Sequence, residues 1–583
     1  MDPAAIPVNA QPMGKRSVWI KIAAAVASGL LVAVVFPPFR TSALVWVALV
    51  PLLAALWSVT GRRAGWKGFA LGWLAGTVSC WVQFRWLAVV SPLGLLVLPV
   101  YLGLFWGAFG AFAASLGNPW QAPRDVPSDR FSIMRRSLRV AFCHAALWAG
   151  LEWLRGWLFT GFGWNGLGVA FHETPVIAQA ADLLGLTGLA MVPVFFQAVM
   201  VQAGRRLIEN TRCGRHRTLW DLAAAAVLMG LLVCYGLVRI TTERRKESVR
   251  LKTLLVQINI PQDARIVLWD ALDVHMAYEE ETLKALDDHA MNWPDWVMWP
   301  ESALTGKILR TADGDWGAWR ENLETIAQVR TAGRFSLIYG INEEEAEHVG
   351  DGGELVMKDH GRIWNSLAVM SPDDDLQTYR KRHLVIFGET IPFVETIPWL
   401  KKIYAQQAGV EYSGSFTPGD SVEPLPVATA GGVMIGVIPT VCFEDSVPRL
   451  ARRFVRPGPQ VIVNVTNDGW FKQSPAADQH FASARFRTIE LRRPMIRCAN
   501  TGVSAAIDST GSTAHPDTGR PQLLIDSQGS HFTRGSLLTE LSIPLHPSFS
   551  LYALIGDRGV ICLALLGMLW AWRARKRQQE ETI

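Results

Sequence analysis

Residues 433–444 read VMIGVIPTVCFE, a run of apolar residues that ends on a cysteine and a glutamate. An apolar run of this length with no polar alternation fits a strand covered on at least one face by helices. The same signature recurs on both sides, at 252–259 (KTLLVQIN), 296–299 (WVMW), 335–340 (FSLIYG), 364–370 (WNSLAVM) and 460–465 (QVIVNV). Further strands are expected at 494–498, 502–508 and 521–525, and helices at 266–290, 317–332 and 476–493. Strands alternating with helices indicate one α/β domain over residues 251–545. The Gly-, Pro- and Ser-rich stretch 409–430 reads as an excursion loop within it.

Outside this block the chain changes character. Of 583 residues, 50% are hydrophobic, 18% are charged and 25 are tryptophan. Residues 1–250 carry a net charge of +14, residues 251–545 carry −11 and residues 546–583 carry +2. Nucleic-acid binding is excluded by this distribution, because the basic charge sits between apolar segments and the polar block is acidic. Seven cysteines without a CxxC pair support neither a disulfide framework nor a structural zinc site.

Apolar runs at 19–36, 41–59, 68–89, 92–117, 138–160, 175–202, 219–240 and 549–571 predict eight membrane crossings. The first resembles a signal peptide, but another span follows it without a cleavage site, so it reads as an anchor. Basic residues fill alternate short loops: Lys15 and Arg16; Arg62, Arg63 and Lys67; Arg124 to Arg136; Arg205 to Arg217; and Arg573 to Arg577. The positive-inside rule then places both termini in the cytoplasm and the 251–545 block outside. Residues 1–250 form a membrane domain with seven helices, and 546–583 form the eighth helix and a basic tail. Arg85 and the Glu152–Arg155 pair fall near segment ends, where snorkelling explains them. No ionisable chain recurs across several helices, which argues against a transporter.

Within the acidic block, Glu301 follows the strand at 296–299, Lys381 follows the strand at 364–370, and Cys442 follows the apolar run quoted above. Strand ends are where α/β chemistry is usually built. A carboxylate to accept a thiol proton, an ammonium to steady the developing oxyanion and a cysteine to carry a covalent acyl group make a coherent nucleophilic site. Against it, a lone cysteine is usually a small buried hydrophobe, and a lysine between Arg380 and Arg382 usually belongs to a solvated basic patch.

The strings PESA (300–303), YRKRHLVIFGE (379–389) and VCFE (441–444) resemble the Glu–Lys–Cys signature of the nitrilase, or carbon–nitrogen hydrolase, superfamily. With the apolar segments, NVTNDGWF (464–471) and QHFASARFRTIELRRPMIRCANTGVSAAID (479–508), the whole chain resembles the apolipoprotein N-acyltransferase family of Gram-negative bacteria. That resemblance implies an αββα sandwich beside a polytopic helical membrane domain. It implies Cys442 as nucleophile, Glu301 as general base and Lys381 as oxyanion-stabilising cation. Glu389 becomes a second essential carboxylate, and Phe443 and Glu444 complete the turn, with the Phe443 N–H joining Lys381 at the oxyanion. Trp269 matches a tryptophan of the lipid site, and Phe387, Phe393 and Trp399 are candidates for an aromatic rim that binds lipid. Phe443 stands where tyrosine is often found, and Lys472 where glycine is common.

The implied reaction is ping-pong acyl transfer needing neither cofactor nor metal. An acyl chain of a membrane phospholipid, with phosphatidylethanolamine as the expected donor, passes through a Cys442 thioester to the α-amine of a diacylglyceryl-cysteine on an apolipoprotein. The expected setting is the bacterial inner membrane, with the catalytic block facing the periplasm. A monomer is expected, since no coiled-coil pattern appears. A membrane-tethered amidase acting on a soluble amide is the enzymatic alternative, and a transporter or receptor with an inactive outer domain the non-enzymatic one. His383 and His480 read as structural hydrogen-bonding residues, and Asn464, Asn467 and Asp468 as braces of a strand-end loop. Arg485, Glu490, Arg492 and Arg493 suggest an internal ion network, Glu343–Glu345 a solvated surface and Cys498 a core position.

Overall fold

Alternate residues of each central strand in the acidic block point to different cores. Trp296 and Met298 enter one apolar cluster, and Val297 and Trp299 enter another; Ile338 likewise parts from Leu337 and Tyr339. This period of two, with both faces apolar, belongs to a sheet covered on both sides. The structure, a computed structural model, describes residues 15–39, 41–121, 129–213, 219–262, 268–349, 354–386, 388–391, 397, 399, 402 and 415–580.

Among these residues, nine strands form the larger sheet. Ser336–Val349 is its longest strand, parallel to Trp296–Met298 and to Lys307–Arg310 and antiparallel to Ile363–Met370. Leu376–Arg380 pairs beyond Ile363–Met370, and Ser248–Gln257 lies beyond Trp296–Met298. The smaller sheet runs in the order Ala505–Ile507, Met495–Ala499, Gln460–Thr466, Met434–Val441, Leu425–Ala428. One core lies between the sheets, joining Leu251, Leu255, Trp296 and Ile338 to Ile435, Val437, Ile462 and Ile496. Helices Ala271–Asp288 and Arg320–Arg330 cover the outer face of the larger sheet through Val274, Tyr278, Leu286 and Ile326. Helices Ala476–Ala484 and Phe486–Leu491 lie over the smaller sheet, and their Ala482, Phe486 and Ile489 also enter the core of the membrane helices. The layers are therefore helix, sheet, sheet, helix.

Several expectations for this block need correction. Residues 521–525 make only isolated bridges rather than a strand, and part of the expected 409–430 loop is the strand Leu425–Ala428. The expected helix 476–493 breaks at Arg485 and ends at Arg492, whose φ of 53° is incompatible with continuation. Glu343 and Glu344 are not solvated. Glu343 is fully buried between Arg380 and Arg310, Glu344 pairs with Lys307, and only Glu345 meets its partners, Arg362 and Lys358, near the surface. Cys498 is fully buried.

The membrane part also departs from eight simple spans. Among the described residues, three helices are long and apolar enough to cross a membrane: Arg16–Val34, the segment Pro92–Gln121, and Trp220–Arg244. A fourth span exists if Ala181–Leu189 and Met191–Glu209 count as one, but they are bent 62° apart. Gly185, at φ 73°, breaks the expected 175–202 segment within its first half. The 41–59 segment is a 3-10 turn, Ser42–Trp46, followed by the eight-residue helix Val50–Trp57. Helix Arg130–Arg155 is long but carries five arginines and a glutamate. Helices Ala64–Gln83 and Pro92–Ala114 meet at glycines: a Cβ on Gly68 would lie 2.3 Å from the Gly110 carbonyl, and one on Gly72 2.2 Å from the Trp106 carbonyl. Small residues let these backbones touch, the usual basis of helix association in lipid.

The arginine–glutamate cluster is not internal to the block but bridges it to the membrane helices. Arg492 donates to Asp182 and, at 2.6 Å, to Gln179, while Arg239 Nε reaches the same Asp182 at 2.9 Å. Glu490 pairs with Arg487 at 2.8 Å and accepts the Leu186 N–H at 2.6 Å. Arg485 and Arg493 donate largely to backbone carbonyls.

Candidate active site

Three strand ends converge. Trp296–Met298 leads through Pro300 to Glu301, Leu376–Arg380 ends immediately before Lys381, and Met434–Val441 ends immediately before Cys442. Glu301 is set by close backbone contact: the Gly340 N–H donates to Pro300 O at 3.0 Å and the Ala303 N–H to Gly340 O at 3.0 Å. A Cβ on Gly340 would stand 2.4 Å from the Glu301 Cα, so only glycine permits this approach. Cys442 adopts φ 55°, a left-handed conformation that turns the strand sharply into Cys442–Ser446. Such strain in a non-glycine residue is costly and persists where surrounding bonds hold it.

Those bonds are present. Glu444 is fully buried and accepts the N–H groups of Val441 at 2.9 Å, Arg382 at 2.8 Å and His383 at 2.9 Å, together with the Tyr379 hydroxyl at 3.0 Å. It thus ties the turn after the cysteine to the chain after the lysine. Asn464 Nδ2 donates to Cys442 O at 3.1 Å from the neighbouring strand.

The charged groups are closely spaced and nearly dry. Lys381 is 1% exposed; its Nζ lies 2.8 Å from Glu389 Oε1 and 3.8 Å from Glu301 Oε1. Asn365 Nδ2 donates to both carboxylates at 2.8 Å. Glu301 Oε2 is buried with no hydrogen-bond partner among the described residues, an open acceptor at the site. Burial, with the Glu301 charge, holds the thiol well above its ordinary range, so it rests protonated. Burial also raises Glu301, against the opposing pull of Lys381, and makes it a better proton acceptor. Burial pulls Lys381 down, but the charges of Glu389, the larger, and Glu301 outweigh it and keep it charged. Glu389 is held below its ordinary value because Lys381 and three hydrogen bonds overcome its burial. The arrangement can lift a proton from a thiol, launch it as a nucleophile and meet a new oxyanion with a fixed ammonium.

Phe443 stacks on Trp164 (5.6 Å between ring centroids, 27°) and on His383 (6.1 Å, 23°). An aromatic wall therefore runs from the Cys442 turn into the membrane part, where Trp164 meets Phe162 and Trp86 and, from the acidic block, Phe471. Behind the turn, His480 sits between Asp445 Oδ1 at 2.6 Å and Asp468 Oδ1 at 2.8 Å, and Arg497 bridges the same aspartates at 3.3 and 3.1 Å. All four are fully or almost fully buried, and two positive charges answer two negative ones.

Glu301, Lys381, Cys442, Glu389, Phe443 and Glu444 thus gather at one place. Trp269 is half-buried against the outer core of the larger sheet, and Trp399 is exposed. Phe387 and Phe393 lie outside the described residues. Asn365, Tyr379 and Trp164 were missed. Asn365 looks like any polar residue inside an apolar strand, whereas Trp164 sits in the uncharged GFGWNG stretch, whose glycines and tryptophan between two spans were a usable signal.

Two family models match the chain: the apolipoprotein N-acyltransferase N-terminal domain over residues 28–199 and carbon-nitrogen hydrolase over residues 255–525. An apolipoprotein N-acyltransferase of Geobacter metallireducens is 30% identical over 502 residues, covering 84% of this chain and 85% of that one. The chain belongs to the apolipoprotein N-acyltransferase family. A second apolipoprotein N-acyltransferase, from Bradyrhizobium diazoefficiens, is 29% identical over 581 residues, spanning 96% of this chain and 95% of that one. Among solved structures, a carbon-nitrogen hydrolase from Helicobacter pylori matches with 15% identity and a TM-score of 0.30, over 50% of this chain and 89% of that one. This apolipoprotein N-acyltransferase family member joins an N-terminal membrane part to a carbon–nitrogen hydrolase block.

Proposed function

We propose that this chain moves a fatty acyl chain from a membrane phospholipid, through a thioester on Cys442, to the α-amine of the diacylglyceryl-cysteine of an apolipoprotein. The carrying observation is the meeting of buried Glu301 and Lys381 with half-buried Cys442 at one place, within a chain of this family. Glu301 takes the thiol proton as the sulfur attacks the ester carbonyl. The tetrahedral oxyanion forms beside Lys381 and, on our reading, the Phe443 N–H. Collapse breaks the ester bond, and Glu301 returns the proton to the departing lysophospholipid oxygen. The acceptor amine then attacks the thioester, Glu301 takes its proton, and collapse to the amide frees the Cys442 sulfur to be reprotonated.

This reading places the machinery in residues 251–545, between a membrane domain at 1–250 and an anchoring helix in 546–583. The block faces the periplasm from the inner membrane, both termini are cytoplasmic, and the protein acts as a monomer with phosphatidylethanolamine as donor. Trp269, Phe387, Phe393 and Trp399 supply lipid contacts. The expected eight crossings count bent and short segments as spans.

Incubation with labelled phospholipid should add one acyl chain to Cys442, seen by mass spectrometry, and a diacylglyceryl lipopeptide should discharge it. Cys442→Ser should abolish the thioester, and Glu301→Gln should slow acylation by about 10²–10⁴-fold. A thioester on another cysteine would sink the assignment.

A further inference from the structure

Four buried charged groups stand behind the turn that carries Cys442, and the proton transfers described above use none of them. Asp445 lies within the turn Cys442–Ser446, Asp468 opens the turn Asp468–Phe471, Arg497 stands on strand Met495–Ala499, and His480 comes from helix Ala476–Ala484. His480 Nε2 is 2.6 Å from Asp445 Oδ1, and its Nδ1 is 2.8 Å from Asp468 Oδ1. Its ring also packs at 5.4 Å on Trp164, the same ring that stacks on Phe443. Among the described residues, Asp445, Asp468 and Arg497 are the charged groups that face His480. The next titratable ring, His531, turns instead toward Asp478 at 3.8 Å.

An ionised carboxylate only accepts hydrogen bonds, so an imidazole that meets one through each nitrogen satisfies both only as the imidazolium, with two N–H donors. Burial alone would lower His480, but Asp445 and Asp468 outweigh it and hold it at about 9. In that form the cluster is neutral, with two positive charges against two negative. Loss of the Nδ1 proton to solvent leaves a lone pair in front of Asp468, and the ring can accept instead from Arg497 Nη2, which already stands 3.0 Å from it. Asp468 then loses a donor, and one negative charge behind Cys442 is left without a partner. After burial and the charges of Glu301 and Glu389, Asp468 is a further group that opposes ionisation of the Cys442 thiol. A charge that opposes a thiolate also opposes an oxyanion forming beside it.

We propose that His480 is a positioning residue for acyl transfer: as an imidazolium it braces the turn after Cys442 through Asp445 and cancels the charge of Asp468, and acylation depends on its keeping that proton. The inference rests on the acyl-transfer reading above and adds to it an alkaline limit on the first half-reaction. Neither Lys381 nor the Cys442 thiol produces such a limit. Lys381 is held charged above its ordinary range, and ionising the thiol would speed its attack.

The test is single-turnover formation of the Cys442 thioester from labelled dioleoyl phosphatidylethanolamine in detergent micelles, from pH 6.5 to 10 and well below the thermal midpoint. The rate of the unaltered protein should fall about tenfold, the scale of one partly screened charge near a developing oxyanion, through a midpoint near 9. In His480→Gln this decline should vanish and the rate at pH 7 should already be lower by about tenfold, with an unchanged dependence on the mole fraction of phospholipid. The double variant His480→Gln/Asp468→Asn leaves one charge of each sign, Asp445 and Arg497, and should recover most of the lost rate without regaining the decline. A rate in the unaltered protein that stays level or rises to pH 10 would overturn the role of His480, and this measurement decides even where a variant fails to fold. A double variant no faster than His480→Gln alone would overturn it too. Absence of any thioester from the unaltered protein at every pH would overturn the acyl-transfer reading as well.

Discussion

Lys381 Nζ stands 2.8 Å from Glu389 Oε1 and a full ångström farther, 3.8 Å, from Glu301 Oε1. Glu389 thus holds the ammonium, and Glu301 stays free to receive a proton. In Glu389→Gln the lysine loses its nearer negative partner and should close on Glu301, lowering its basicity. Acylation should fall by about 10²-fold, a typical general-base contribution, and the thermal midpoint should fall as well, because the change removes one partner of a buried ion pair. Because burial raises Glu301, the acylation rate of the unaltered protein should rise with pH through a midpoint above the ordinary carboxyl value of 4.5. Single-turnover rates from pH 4 to 8 should show that midpoint moving down in the variant.

The His480 cluster makes stability depend on pH. Burial alone would lower His480, but Asp445 and Asp468 outweigh it and raise it from 6.5 to about 9. Asp468 is held at about 2, because His480 and Arg497 overcome its burial. The stabilisation from His480 is complete below pH 6.5 and is lost as pH rises through about 9; that from Asp468 is present above 3.8 and is lost as pH falls through about 2. The thermal midpoint in detergent should therefore decline between pH 6.5 and 9. His480→Asn should lose this alkaline decline and cost about 3–5 kcal/mol, since it leaves two buried carboxylates facing one arginine.

Asp182 accepts from both Arg492 of the catalytic block and Arg239 of helix Trp220–Arg244. Asp182→Asn leaves Arg492, fully buried, without its counter-charge, and should cost about 3–5 kcal/mol. Limited proteolysis should then cut the segments between the block and the helices faster than in the unaltered protein, while Asp182→Glu should restore part of the protection. Equal cutting rates would show that the contact does not fasten the two parts.

Part of the candidate site was legible because Cys442 and Glu301 follow apolar strands, which can be read from four to eight residues, whereas Lys381 follows the polar strand Leu376–Arg380 rather than the apolar one at 364–370. What was not legible depends on partners distant in the chain. Glu343 looks like one of three solvated glutamates until the sheet sets Arg310 and Arg380 beside it. Arg492 looks local until helix Phe486–Leu491 delivers it to Asp182, 310 residues earlier. Strand Gly535–Pro544 carries polar residues throughout and was missed, because its placement comes from backbone pairing rather than an apolar pattern. The shapes of the apolar segments were not legible for a related reason: hydropathy records how apolar a segment is, not that Gly185 breaks one or that 41–59 divides into a 3-10 turn and a short helix.

Strand Ser248–Gln257 pairs antiparallel with Gly535–Pro544 along its whole length, setting Ser248 opposite Pro544. The catalytic block therefore begins and ends at one point, just after helix Trp220–Arg244 and just before the last helix. Neighbouring ends of this kind are what allow one module to be inserted into another without rethreading either. The paired strands are thus the seam at which the hydrolase block leaves and rejoins the helices.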